Sequence, residues 1–191
     1  MITLDSPGVT DPTSTRGEYT VMVQSTAHPG RVAESPHGIA AAAGEYLACK
    51  VGGVEYGIGI LHVQEIRVFE TPTRIAEAPA HVLGVLNLRG LIVPVVDLRL
   101  RFGMADAGRD SRTALVVLNT GGRLIGLVVD GVSDVIALNG DQLRPVPEFG
   151  PGMAIDHLMA IGSVGQRMLV LIDICRLVAS PETGLSAVTL S

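Results

Sequence analysis

One feature of the chain limits its fold more than any other: it contains itself twice. Gly57-Ile58-Gly59-Ile60 followed by Val63-Gln64-Glu65-Ile66 is matched, at one constant offset, by Gly126-Leu127-Val128-Val129 followed by Val132-Ser133-Asp134-Val135. Val95-Val96-Asp97-Leu98 is matched in the same way by Leu171-Ile172-Asp173-Ile174, at a slightly larger offset. Internal self-similarity on this scale means two copies of one structural unit. The matched segments are short, rich in Val, Ile and Leu, and bounded by Gly, Asn and Asp, so the unit is built of strands and turns.

The stretch His81–Gly103 gives the most detail. Gly84–Leu86 and Leu91–Val96 flank the polar connection Asn87-Leu88-Arg89-Gly90, a pattern that predicts two short antiparallel strands and a tight turn. Pro94 lacks a backbone N–H, which predicts an edge strand or a bulge at that point. Asp97 then precedes Leu98-Arg99-Leu100-Arg101-Phe102 and Gly103, the pattern of an Asp-capped helical turn stopped by glycine. Arg89 falls at the hairpin tip, where folding makes no demand for a charge. It reads either as a solvated turn residue or as a contact for a partner.

The rest of the chain follows the same rhythm. Tyr46–Val51 and Val54–Leu61 around Gly52-Gly53 predict a first hairpin, and His62–Arg67 a strand end or turn. Arg74–Ala76 reads as a short strand and Pro79–Leu83 as a helical turn. Thr113–Leu118 and Leu124–Val129 predict a hairpin closed at Gly121-Gly122, followed by a strand at Val132–Leu138 and a turn or short helix start at Asn139–Gln142. A Pro- and Gly-rich crossing runs over 144–152, and Leu158–Val164 with Met168–Ile172 forms a last hairpin before the Asp173–Ala179 helical turn. Residues 1–44, rich in Ser, Thr, Pro, Gly and Ala without periodicity, read as a disordered extension. The folded region is 45–180, with a polar linker near 104–111 and a flexible tail at 181–191.

Composition narrows the function. Hydrophobic residues make up 47 % of the 191 and aromatics 3 %, so the core has to be aliphatic. A net charge of −5, with Lys50 the only lysine, argues against nucleic acid as a partner. No apolar run is long enough to span a bilayer, and MITLDSPGVT lacks the basic and apolar regions of a secretory signal. The expected location is the cytoplasm. Cys49 and Cys175 sit in apolar runs without metal or redox spacing and read as buried reduced thiols. The five histidines are scattered, no nucleophile elbow or phosphate loop is present, and Asp97 and Asp173 suit helix caps better than a catalytic pair. No catalytic residue, cofactor or metal site is expected. A small-molecule binding barrel remains an alternative to a protein-binding module. Val63 is equally consistent with core and with an exposed stripe.

The motifs also carry a resemblance. N-L-R-G with its apolar run and P-V-V-D-L, Tyr56–Ile58 through Val63–Arg67, Val128-Val129-Asp130-Gly131-Val132-Ser133-Asp134-Val135, and Leu143-Arg144-Pro145 through Glu148-Phe149 occur here in the order found in the CheW family. The chain resembles that family over roughly 45–178. The resemblance implies an all-β fold of two small five-stranded SH3-like β-barrel subdomains, interleaved, sharing an aliphatic core and carrying short helical turns. It implies a non-enzymatic adaptor that couples chemoreceptors to the histidine kinase CheA and is recruited to membrane-associated receptor arrays. A CheW-like scaffold of another receptor–kinase pathway, such as one for surface motility, is the alternative. The receptor's helical hairpin tip is expected in the groove between the barrels, with Val63, Glu65, Gly84, Asn87, Leu88, Arg89 and Gly90 as its contacts. The kinase regulatory domain, itself CheW-like, is expected to pair through barrel faces, as are further copies in rings. Val132, Asp134 and Val135 are the candidates for the kinase contact, by equivalence to Val63, Glu65 and Ile66.

Overall fold

A computed structural model describes residues 42–105, 108–147 and 156–180. Eleven strands alternate with tight turns: β1 (Gly44–Val51), β2 (Val54–Gly59), β3 (Val63–Val68), β4 (Val82–Leu88), β5 (Leu91–Asp97), β6 (Ala114–Thr120), β7 (Arg123–Val129), β8 (Gly131–Leu138), β9 (Leu143–Arg144), β10 (Leu158–Val164) and β11 (Arg167–Ile172). Two short helices, α1 (Leu98–Arg101) and α2 (Ile174–Ala179), follow β5 and β11. Asp97 and Asp173 cap them, their side chains accepting from Arg99 N and Arg176 N. The 181–191 tail, the N-terminal extension apart from Ala42 to Gly44, and residues 148–152 of the Pro- and Gly-rich crossing, with Glu148 and Phe149 of the last motif, lie outside the described residues. The folded unit starts slightly earlier than the sequence suggests, because Gly44 pairs with Leu138 and buried Ala42 accepts a 2.6 Å hydrogen bond from the Tyr46 hydroxyl.

The strands form two sheets, ordered β8-β1-β2-β11-β10-β9 and β3-β6-β7-β5-β4. Under the repeat, β1 to β5 correspond to β6, β7, β8, β10 and β11, and the two orders then become identical apart from the two-residue β9. Each copy is divided between the sheets. Its first two strands enter one sheet and the chain then crosses to the other, at the 3-10 turn Ile60–His62 in the first copy and at Asp130 in the second. Parallel pairs join the copies: Gly57 with Leu171 in one sheet, Gly126 with Val95 in the other. The repeated glycines are explained by packing. A β-carbon on Gly57 would lie 2.6 Å from Leu171 Cδ2, and one on Gly126 would lie 2.7 Å from Leu115 Cδ1.

Burial on both faces accounts for apolar runs without alternation. Along β1, Leu47, Cys49 and Val51 enter a core shared by the two sheets, with Ile58, Val96, Leu98, Val116, Leu118, Leu127 and Ile172. The intervening Tyr46 and Ala48 fill the first sheet's own concave side with Leu138, Leu169 and Leu171. Leu88, Val93, Val95, Leu115, Val117 and Val128 do the same for the second sheet.

Several local expectations need correction. The sheets coil like barrels, but their backbone ladders stay open between edge strands, and the larger sheet has six strands. β5, which holds Pro94, is an interior strand. Val85, opposite Pro94, directs both its N–H and its carbonyl to Thr73, so this is a non-hydrogen-bonded pair, and the ladder to β7 starts one residue later at Val95. The proline therefore interrupts no bond to β4. His62 closes a turn, but Val63–Val68 is a full strand. Arg74–Ala76 is not a strand; only the Thr73–Val85 bridge forms there, and it covers the β4 edge. Pro79–Leu83 gives a turn, from Val82 N to the Pro79 carbonyl, with β4 already begun at Val82. Cys49 is buried as expected, whereas Cys175 is exposed, because α2 turns Ile174 and Leu177 inward.

Candidate functional site

The turns show where the sequence departs from what the fold alone requires. Among the described residues four hairpins have two-residue loops, at Gly52-Gly53, Arg89-Gly90, Gly121-Gly122 and Gly165-Gln166, between the pairs Val51–Val54, Leu88–Leu91, Thr120–Arg123 and Val164–Arg167. Such loops favour positive φ at the first central residue, and glycine supplies it at least cost. Gly52, Gly121 and Gly165 have φ near 60°, at 59°, 63° and 60°. Arg89 occupies the same position with φ 53°, a conformation that costs an L-residue roughly 1–2 kcal/mol. A strained residue where its three counterparts are glycine points to a use for the side chain. The turn is otherwise well set: Asn87 Oδ1 accepts from Gly90 N at 2.8 Å, and Gly90 completes it with φ 89°.

The Arg89 side chain is 68 % exposed and meets Glu65, only 12 % exposed, with Nη2 3.3 Å from Oε2. Glu65 lies on β3 and Arg89 on the hairpin that ends at β4, the two edges of the smaller sheet. One ion pair thus links the β4–β5 turn to the opposite edge of that sheet. Arg67 Nη1 lies 3.8 Å from Glu65, while its Nη2 reaches Glu70 at 2.7 Å. Leu91 and Ile92, beside the turn, are both exposed. A long, weakly held cation over a recessed carboxylate, next to exposed aliphatic side chains, can exchange its internal carboxylate for one on another molecule at small cost.

The remaining receptor-contact candidates separate by role. Val63 is half-buried against the shared core. Leu88 is buried in the smaller sheet's own core and presents no surface. Gly84, with φ 138°, is a structural glycine, because a β-carbon there would fall on the Thr73 carbonyl oxygen. Of the kinase candidates, Val132 is half-buried and Val135 is exposed. Asp134 accepts from Arg167 Nη1 and Nη2, both at 2.9 Å. Arg167 also donates from Nε and Nη2 to Glu55 at 2.9 Å. These hydrogen bonds hold the Glu55 and Asp134 carboxyls below their ordinary values and raise the Arg167 guanidinium. So a carboxylate at the repeated position, Glu65 or Asp134, meets a hairpin arginine in both sheets.

Sequence reading misses a buried ionic cluster. Asp97, fully buried, accepts from Arg99 N, Nε and Nη2 and from Arg109 Nη2. Burial by itself would raise the Asp97 carboxyl, but the Arg99 hydrogen bonds and the Arg99 and Arg109 charges outweigh it and keep the carboxyl low. Two residues of the predicted linker are held by this cluster and beside it: Arg99 Nη1 donates to the Gly108 carbonyl at 2.7 Å, and Arg109 lies 5.1 Å over the Phe69 ring. Helix capping by Asp97 was the only legible part of this cluster. The Cys49 thiol, pushed up to about 12 by burial, is not a nucleophile at neutral pH. Among the described residues no group of three His, Cys, Asp or Glu side chains is placed to hold a metal.

Paired β-sheets with aliphatic cores and a strained, exposed arginine suit a protein-interaction module. Comparison with known proteins identifies which one. The CheW-like domain profile matches residues 45–182. The chemotaxis protein CheW of Klebsiella aerogenes is 49 % identical over 141 residues, covering 74 % of this chain and 85 % of the relative. CheW of Rhizobium meliloti is 33 % identical over 138 residues, covering 72 % and 89 %. The crystal structure of the scaffolding protein TtCheW from Thermoanaerobacter tengcongensis superposes with a TM-score of 0.66 at 27 % identity, covering 73 % of this chain and 95 % of that one. The chain belongs to the CheW-like family and is a scaffold-type protein of chemotaxis signalling.

Proposed function

We propose that this protein is a non-enzymatic adaptor joining chemoreceptors to the histidine kinase CheA. The observation that carries the receptor half is Arg89, held in the left-handed region with its guanidinium exposed over Glu65. In this reading the receptor's helical hairpin presents a carboxylate that replaces Glu65 as the partner of Arg89. Its apolar side chains cover Ile92, Leu91 and the rim at Val63. Asn87 and Gly90 set the turn, and Gly84 and Leu88 act through the fold. The kinase regulatory domain is assigned to the exposed edge of β8, at Val135 with Val132 and Asp134 beside it, and further copies would meet through similar sheet contacts. Receptor conformation then biases the kinase through differential contacts with the assembled complex. Among the described residues no helix is long and apolar enough to cross a membrane. In this reading the protein is cytoplasmic and is recruited to membrane-bound receptor arrays.

The test is reconstitution. Receptor signalling fragments, the kinase and this protein should co-elute as a ternary complex, and kinase autophosphorylation should rise only when all three are present. A protein that binds neither component, or that takes up phosphate from the kinase, would contradict the reading.

A further inference from the structure

The two crossovers between the sheets are equivalent under the repeat, yet among the described residues an Arg–Asp pair at the equivalent positions ties only the second. At the second, Asp130 N donates to the Lys50 carbonyl at 2.8 Å, and Asp130 Oδ2 accepts from Gly52 N at 2.7 Å; both residues belong to the β1–β2 hairpin of the larger sheet. Asp130 Oδ1 lies 3.0 Å from Arg99 Nη1, and Arg99 is anchored on the buried Asp97 at the end of β5 in the smaller sheet. A continuous ionic path therefore runs from the core of one sheet to a hairpin of the other. At the first crossover the position equivalent to Asp130 is Leu61, which is exposed, and the position equivalent to Arg99 is Cys175, also exposed. Leu61 and Cys175 cannot form such a pair, so closure of a crossover does not itself require a charged pair at these positions.

We propose that Arg99 and Asp130 form a clasp that sets the orientation of the two sheets, and with it the shape of any surface spanning both. Aliphatic packing in the shared core is non-directional, whereas a guanidinium between two carboxylates is satisfied in few arrangements. Arg99 and Asp130 are positioning residues in this account, with no contact to a partner.

The experiment measures geometry in the protein alone, so its result does not depend on the adaptor reading. Spin labels at Arg123→Cys in the smaller sheet and Ser163→Cys in the larger, in a Cys175→Ser background, report the distance between sheets by pulsed EPR. Labels at Gln64→Cys and Arg123→Cys report a distance within one sheet. Arg99→Met removes a partner of buried Asp97 and risks unfolding, so Asp130→Ala, at the rim of the cluster, is the decisive variant. The inter-sheet distribution should broaden about twofold or shift while the intra-sheet one stays unchanged, with the melting temperature lowered by a few degrees at most. An unchanged inter-sheet distribution would overturn the clasp. Equal broadening of both distances would also overturn it, since that signals general loosening.

Discussion

Arg89, exposed and strained, and Asp97, fully buried, make opposite predictions. For Arg89, replacement by Ala should alter stability by less than about 0.5 kcal/mol, because the Glu65 pair is exposed on one side and weak. Replacement by Gly should raise stability by up to about 1 kcal/mol, since glycine relieves the left-handed strain. Thermal melts of the three proteins, compared as a series, would show this ranking; a Gly variant less stable than wild type would mean the turn is not strained. Asp97→Asn should instead destabilise by on the order of 3–5 kcal/mol, because it weakens the partner of a buried guanidinium. The sign of the pH effect follows from the lowered Asp97 carboxyl. A group whose value in the folded state lies below its unfolded value contributes stability that is fully present above the unfolded value and lost as pH falls through the folded one. The Asp97 contribution should therefore be constant from neutral pH down to about 4, near the 3.8 of an ordinary aspartate, and fade below it. Urea titrations of wild type and Asp97→Asn across that range would measure it. A difference between them that began to shrink near pH 6 would point to a histidine instead.

At the scale of elements, the repeated glycines are the most testable part of the fold. Gly57→Ala and Gly126→Ala should each cost roughly 1–3 kcal/mol, because the added methyl meets a leucine that has to move. Gly84→Ala should cost more than either, on the order of 3 kcal/mol or above, because it meets the Thr73 backbone from a conformation closed to L-residues. Denaturant melts would rank them, and equal losses at all three would remove the distinction. The same elements show how much was legible in sequence. Hairpins closed by Gly-Gly or Arg-Gly, the Asp-capped turns and the two copies were readable, since each depends on residues near one another in the chain. The strand Val63–Val68 was read short because it is an edge strand with Gln64, Glu65 and Arg67 interrupting its apolar residues. The interior position of Pro94 was hidden because it follows from pairing with β7, which begins at Val95 with the distant Gly126. At the site, Arg89 and its turn were visible, and so was Glu65 as a candidate. That the two meet could not be read, because the contact depends on how the sheet coils. Gly84 and Leu88 stood beside them in sequence but face inward, which only the pairing of β4 reveals.

On the scale of the whole molecule, each sequence copy is shared between the sheets, so neither half of the chain contains a complete sheet. Separately expressed halves should not fold, while removal of residues 1–41 should leave the melting temperature within a few degrees, as Ala42 is the first residue with a described role in packing. A larger loss on truncation would place part of that segment in the folded unit. The two contacts proposed for the adaptor likewise fall on different elements, Arg89 on the β4–β5 hairpin and the proposed kinase face on β8 of the other sheet. They should fail independently. The most direct measurement is a pair of titrations, receptor hairpin fragment and kinase regulatory domain, each against wild type, Arg89→Ala and Arg89→Glu. The account predicts that Arg89→Ala weakens receptor binding by about thirtyfold, on the order of 2 kcal/mol, that Arg89→Glu weakens it further, and that the kinase affinity stays the same for all three. Unchanged receptor affinity, or equal losses toward both partners, would contradict it.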